Sequence, residues 1–302
     1  MKRYLITVTI FLTLIAVIVG LAEVAVRHLP NSYRFKSQWI EANAPKVNTL
    51  ILGESHTYYA IIPELLGDSA FSLANVSQTP EYDYWLLERY ASRCHNLKTV
   101  VMPVDEINVF DPPLEEGEEW YRCIYYRLYM GYPKHNRSPK YNFEICNIAA
   151  FNMKLWPALT HLFTGKASLD CDSTGFGNAF TTPAHFDEVY MQRDANTTYN
   201  RNKNAAATDY NRKYFEKIAR LCQKRGIRLV LVTTPLWEGY VKKYDRHRYD
   251  VMHEVAQHCV NNWGAQYLDY MNDPRFKGTD FHDASHLSRQ GAEKFTTYLR
   301  SF

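Results

Sequence analysis

The segment TLILGESHTYYAI, residues 49–61, passes from a run of apolar positions straight into Gly53-Glu54-Ser55-His56. A short apolar run bounded by a turn signal reads as a buried strand. The turn after such a strand is ordinarily bland and polar. This one carries an acid, a hydroxyl and an imidazole, all groups that do chemistry. Residues 48–53 (NTLILG) are therefore read as a first strand with a candidate reactive turn at its carboxyl end.

The same texture recurs on either side of a long interruption. Residues 70–75 (AFSLAN), 97–104 (LKTVVMPV), 227–233 (IRLVLVT) and 265–269 (AQYLD) read as further strands. Between and after them, helical spacing marks residues 81–93, entered at Pro80, and 205–225, closed by Gly226 at C′. It also marks residues 246–262 and 288–300, the last capped by Ser288. Nearly all-apolar strands alternating with helices predict an α/β fold: a flavodoxin-like parallel sheet of about five strands with helices on both faces. Ligands in such sheets bind beyond the carboxyl ends of the strands, which is where Ser55 falls. Residues 105–204 break the rhythm. They are rich in tyrosine and tryptophan (EEWYRCIYYRLYMGYP, 118–133), carry the loop STGFGN at 173–178, and are expected to form a large, mostly helical or irregular insertion.

At the other end, residues 5–22 (LITVTIFLTLIAVIVGLA) carry no charge, and as a helix they nearly span the roughly 30 Å core of a bilayer. Residues 1–27 are read as a transmembrane anchor, with a cleaved signal peptide as the alternative because Gly20 and Ala22 are small. Lys2 and Arg3 before the apolar run place the amino terminus on the cytoplasmic side, and Arg27 and Arg34 after it weaken that bias. Residues 28–47 read as a stalk, and 48–302 as the main domain, held extracytoplasmically. A net charge of +3 with no basic block argues against a nucleic-acid partner. The six cysteines show no metal-type CxxC spacing and leave disulfides and buried thiols equally open.

The counterpart of the opening segment is DFHDASHLSRQGAEKF, residues 280–295. It sets Asp283 and His286 three apart, just before the capped final helix. A serine nucleophile needs a base for its proton, and that base needs a carboxylate to fix its tautomer and stabilise its charge. Asp283 and His286 supply both on one loop. In an open parallel sheet that loop and the Ser55 turn can meet at one edge.

Gly-x-Ser-His after the first strand with Asp-x-x-His before the last helix resembles the SGNH, or GDSL-type, hydrolase superfamily. The resemblance covers roughly 46–104 and 205–302 and excludes the insertion. It implies a serine esterase or acyl-transfer site with Ser55 as nucleophile, His286 as general base and then acid, and Asp283 orienting His286, without cofactor or metal. Glu54 stands where aspartate is usual and is expected to make a structural hydrogen bond. The family's oxyanion donors are a second-block glycine amide and a third-block asparagine. Here NVSQ (75–78) and PVDEIN (103–108) stand at those places, which leaves the Ser55 backbone amide, with Asn75 beside it and Asn108 as a weaker candidate. Anchor and layout together resemble membrane-anchored members that act in alginate O-acetylation and teichoic-acid D-alanylation. The implied substrate is an acylated glycan or small acyl ester, and the layout is compatible with a membrane partner that delivers acyl groups.

Each residue also has a plainer use. Ser55 can cap the following helix, Asp283 can be a loop residue, His286 a histidine bonded to backbone, and Asn75 a turn residue. His282, Asp283, His286 and His56 are together a candidate metal set, which would leave Ser55 idle. The aromatics of 118–133 are expected to pack rather than to stack on sugars. The non-enzymatic alternative is an inactive scaffold or glycan-binding component of an envelope polysaccharide complex.

Overall fold

The computed structural model describes residues 1–133, 137–165, 169–180, 186–202 and 206–300. Five strands, β1 (Thr49–Ile51), β2 (Ala70–Ser72), β3 (Thr99–Pro103), β4 (Arg228–Thr233) and β5 (Gln266–Asp269), form one sheet in the order β2-β1-β3-β4-β5. Every pairing is parallel, with Leu50 facing Phe71 on one side and Val100 on the other. The apolar runs explain this directly. Leu50, Ile51, Val100, Met102, Leu231 and Val232 are covered on both faces of the sheet, the arrangement that parallel strands require. The sheet is flavodoxin-like, and its order reverses between β1 and β3. The loops leaving those two strands diverge and open a crevice at their carboxyl ends.

The strands are shorter than their apolar runs because the chain turns out of the ladder early. Single bonds carry the pairing one step further: Leu52 N donates to Val101 O (2.9 Å) and Leu73 N to Ile51 O (2.9 Å). The helix Thr208–Arg225 packs against β4 and between the helices Pro80–Tyr90 and Arg246–Trp263. Its buried stripe, Asn211, Phe215, Ile218, Ala219 and Cys222, has the spacing of a one-sided amphipathic helix. The sequence reading began this helix at residue 205; residues 203–205 lie outside the described residues. The final helix, Arg289–Arg300, packs on Pro63–Leu66. There Thr296 Oγ1 accepts from Ile62 N (3.0 Å) and donates to Ala60 O (3.2 Å). That side chain ties the segment following Ser55 to the helix following His286.

The chain divides into two compact units. Gln38–Glu119 with Asp170–Phe302 carries the sheet; Met1–Ser37 with Trp120–Leu169 forms the other. The stretch read as one insertion, 105–204, is therefore shared. Its part from Asp170 onward belongs with the sheet, where Ser72 N of the edge strand β2 donates to Thr174 O (2.9 Å). In the smaller unit the apolar helix Lys2–His28 buries only Glu23 and Val26, and Tyr125, Tyr126 and Met130 are packed inside. Residues 28–47, read as a stalk, are largely helical over Ser32–Asn43. Within the sheet-bearing unit Trp39 stacks on Phe71, the ring centroids 3.8 Å apart. All six cysteines carry free thiols, five of them buried.

Gly53 has φ of +106°, and a Cβ there would sit 2.2 Å from Pro103 Cδ and 2.8 Å from Thr57 Oγ1. Gly53→Ala is therefore expected to destabilise the protein by at least about 2 kcal/mol through strain and clash together. Thermal denaturation of the full chain in detergent checks this. An unchanged midpoint would show that the turn is not held so tightly against β3.

Candidate active site

The turn after β1 is built by hydrogen bonds that leave Ser55 at its apex. Gly53 N donates to Asp83 Oδ1 (2.7 Å), which also accepts from Gln78 Nε2 (2.6 Å). Glu54, not Ser55, caps the short helix Ser55–Tyr58, its side chain accepting from His56 N (2.9 Å). The serine hydroxyl is thus left to other partners. Ser55 Oγ lies 2.9 Å from His286 Nε2 and 2.8 Å from Glu54 Oε2.

The second loop folds back on itself. His282 N donates to His286 O (2.9 Å), and Asp283 Oδ1 accepts from Ser285 N (2.9 Å) and His286 N (2.8 Å). This local wrapping holds the Asp283 carboxylate 2.9 Å from His286 Nδ1. Ser288 Oγ accepts from Gly291 N (3.2 Å) and starts the final helix. The three residues singled out in the sequence therefore form one hydrogen-bonded chain, Ser55–His286–Asp283. An ionised Asp283 accepts a hydrogen bond from the Nδ1–H and so fixes the proton on that nitrogen, which leaves the Nε2 lone pair facing the serine. Burial works against that ionisation, but the charge and hydrogen bonds of His286, with the two backbone N–H groups, hold the carboxyl well below the usual range.

The oxyanion candidates are placed less uniformly. The Ser55 N–H is in the first helical turn, where no intrahelical acceptor exists. Both side-chain N–H groups of Asn75 are engaged, by Leu73 O (3.1 Å) and Gln78 Oε1 (3.2 Å), so its amide is not free to donate elsewhere. The turn reading describes Asn75 better. Asn108 is buried just after β3, and neither of its side-chain polar atoms has a partner among the described residues.

Beneath the serine lies a buried charge cluster. His56 Nδ1 is 3.2 Å from Glu54 Oε1 and 3.1 Å from Asp105 Oδ2. Burial favours the neutral imidazole, but the Glu54 charge and the hydrogen bonds of both carboxylates outweigh it and raise the His56 pKa. Burial likewise opposes ionisation of Glu54, yet the adjacent His56 charge and hydrogen bonds bring it down to about 2. The remaining acids go the other way. Burial, with the Glu54 charge adding to it, pushes Asp105 up to about 7 and Asp83 to about 8. The cluster thus pairs Glu54 with His56 and raises the pKa of both neighbouring carboxyls.

The alternative metal set, His282, Asp283, His286 and His56, is not the group that the fold brings to ligand spacing. Among the described residues, ligand spacing is found instead at Glu54, His56 and Asp105, whose donor atoms lie within 4.8 Å of one another. His282 stacks on Phe180, the centroids 3.8 Å apart, and the His286 Nε2 faces Ser55.

Several site residues escaped the sequence reading. Asp83 shares the buried stripe of its helix with Leu86, Leu87 and Tyr90, and an acid at apolar spacing was the available signal. Phe180 and Tyr59 lie 5.3 Å and 6.1 Å from the His286 ring, centroid to centroid, and form an aromatic wall. The loop bearing Phe180 can lie here because Gly177 passes over Tyr59, where a Cβ would come within 2.4 Å of that ring. Asp194 accepts from Ala284 N (3.0 Å) and fixes the histidine loop from outside.

One protein family matches residues 177–300, a span that includes Asp283 and His286, and it is described as a protein of unknown function (DUF1574). No curated protein matches the chain. Similar solved structures include the acetyl xylan esterase AlAXEase, at 12% identity over 84% of this chain and 98% of that one, TM-score 0.41. A GDSL-like lipase from Bacteroides thetaiotaomicron VPI-5482 is similar at 10% identity over 89% and 98% of the respective chains, TM-score 0.41.

Asp83 yields a pH test. Burial pushes its pKa up to about 8, far above that of an exposed aspartate, so the folded state holds a proton that the unfolded chain releases. The stability from that proton is complete below the unfolded pKa and is lost as pH rises toward 8. Asp83→Asn keeps an acceptor at Oδ1 and cannot titrate. Its melting temperature is expected to gain on the wild type as pH rises from 5 to 8, and parallel curves would contradict the assignment.

Proposed function

We propose that the chain is a serine-dependent esterase or O-acyltransferase, and the observation that carries this is the hydrogen-bonded chain Ser55–His286–Asp283. Ser55 Oγ attacks an ester carbonyl while its proton passes to His286 Nε2. Asp283, ionised and bonded to Nδ1, stabilises the imidazolium. The Ser55 N–H donates to the tetrahedral oxyanion. On collapse, the C–O bond to the leaving group breaks and His286 returns the proton to the departing alkoxide, leaving an acyl ester on Ser55. A second hydroxyl, from water or from a sugar, then gives its proton to His286 and takes the acyl group, and as the ester bond to Ser55 breaks His286 passes that proton to Ser55 Oγ.

Glu54 has a structural part in this scheme. Its charge is paired with His56, so it can accept from the hydroxyl of the resting serine without serving as a second acid. The finer reading is an anchored enzyme that modifies cell-surface or exported glycans, its catalytic unit on the extracytoplasmic side. The uncharged run at 5–22 supports the anchor. The Tyr59–Phe180 wall beside His286 is a surface on which a sugar ring or acyl chain can lie. The engaged Asn75 amide favours the alternative, an inactive scaffold, and activity decides between them.

Hydrolysis of p-nitrophenyl acetate by the full chain in detergent provides the test. Ser55→Ala and His286→Ala are expected to reduce kcat/KM to background, and Asp283→Asn to lower it by roughly 10³- to 10⁴-fold, with melting temperatures little changed. Full activity in a folded Ser55→Ala variant would overturn the proposal.

A further inference from the structure

We infer that the helix Ile148–Thr164 lies in the plane of the membrane interface, its exposed face against lipid, beside the end of the helix Lys2–His28. The inference rests on reading Lys2–His28 as an anchor and adds a second lipid contact, from a part of the chain distant in sequence.

The helix presents large apolar side chains outward. Phe163 is 82% exposed, Ile148 73%, Met153 41% and Leu155 36%. Its charged residue is turned the other way: Lys154 is buried, with Nζ 2.7 Å from Glu144 Oε2 and 2.6 Å from Tyr129 OH. A water-facing helix would have the opposite arrangement. The 17-residue segment also contains Asn152, Lys154, Pro157 and His161, and one side of it is covered by protein. Those features suit a helix lying along an interface rather than one crossing a bilayer.

Its depth is set by the anchor itself. Glu23, close to the end of the apolar run, accepts from Glu144 N (3.0 Å) and Ile145 N (3.1 Å), and pairs with Arg27 (2.7 Å). Arg27 also donates to Asn142 O (2.9 Å). Segment 142–145 is therefore fixed to the anchor where lipid gives way to headgroups, and Lys154 Nζ lies 3.5 Å from Val26 O. Phe143 within that fixed segment and Ile148 just beyond it are both exposed. On the anchor, Leu21 and Val24 are exposed at the same end. The apolar surface thus continues from the anchor onto the helix, and a bilayer that holds one meets the other.

Lipid quenching in the full chain tests this. An environment-sensitive fluorescent amino acid is placed singly at positions 12, 148, 163 and 220, and the protein is reconstituted into vesicles with bromine-labelled acyl chains. The expected result is loss of most emission at 12, 148 and 163, with 220 unaffected. Quenching at 12 with 148 and 163 behaving like 220 would overturn the inference and leave the anchor standing. Absence of quenching at 12 would remove the anchor and the inference together. Shielding of 148 and 163 from both brominated lipid and aqueous iodide would show a protein partner on that face instead, and would also overturn it.

Discussion

The reversal of the chain at Gly53 is the constraint on which the candidate site depends. A parallel sheet places its reactive turn at the strand's carboxyl end, but β1 is flanked closely by β3, and Pro103 occupies the space a side chain would need. Only glycine fits between them. That close approach stations Ser55 at the switch point of the sheet. Thr296, bonded to both Ala60 and Ile62, then draws the last helix in, so that the loop carrying Asp283 and His286 closes over the serine. Two loops far apart in sequence meet where Thr296 and the packing of the final helix on Pro63–Leu66 join the elements behind them.

The electrostatics beneath the serine follow from burial. Four ionisable groups, Glu54, His56, Asp83 and Asp105, are buried together. Leaving all of them charged would be prohibitive. The arrangement that results pairs one acid with the imidazole and raises the pKa of the other two. This pairing matters for the chemistry above it. An unpaired Glu54 carboxylate beside Ser55 would resist the growth of negative charge on the substrate oxygen, whereas a Glu54–His56 pair presents little net field.

What the sequence disclosed and what it concealed divide along physical lines. The strands, their parallel arrangement and the residues Ser55, Asp283 and His286 were legible because local patterns carry them: apolar runs, a glycine turn, a capped helix and an acid three residues before a histidine. The role of Asp83 was not legible, because it depends on which face of a helix meets the back of the Gly53 turn. Phe180 and Tyr59 meet only through a loop whose course no periodicity reveals. Residues 28–47 looked like a stalk because they are polar and mixed, yet Tyr33 and Ile40 are buried and Trp39 stacks on Phe71. The division of 105–204 between two units depends on long-range pairings such as Glu23 with the backbone of 144–145, which composition does not record.

The central claim is that His286 and Asp283 make Ser55 a nucleophile. Reaction of the folded full chain with a fluorophosphonate, followed by mass mapping of the modified peptide, tests it most directly. A single adduct on Ser55, absent when His286 is replaced by alanine, is the predicted result. A folded protein that remains unmodified, or one modified at another serine, would contradict the account.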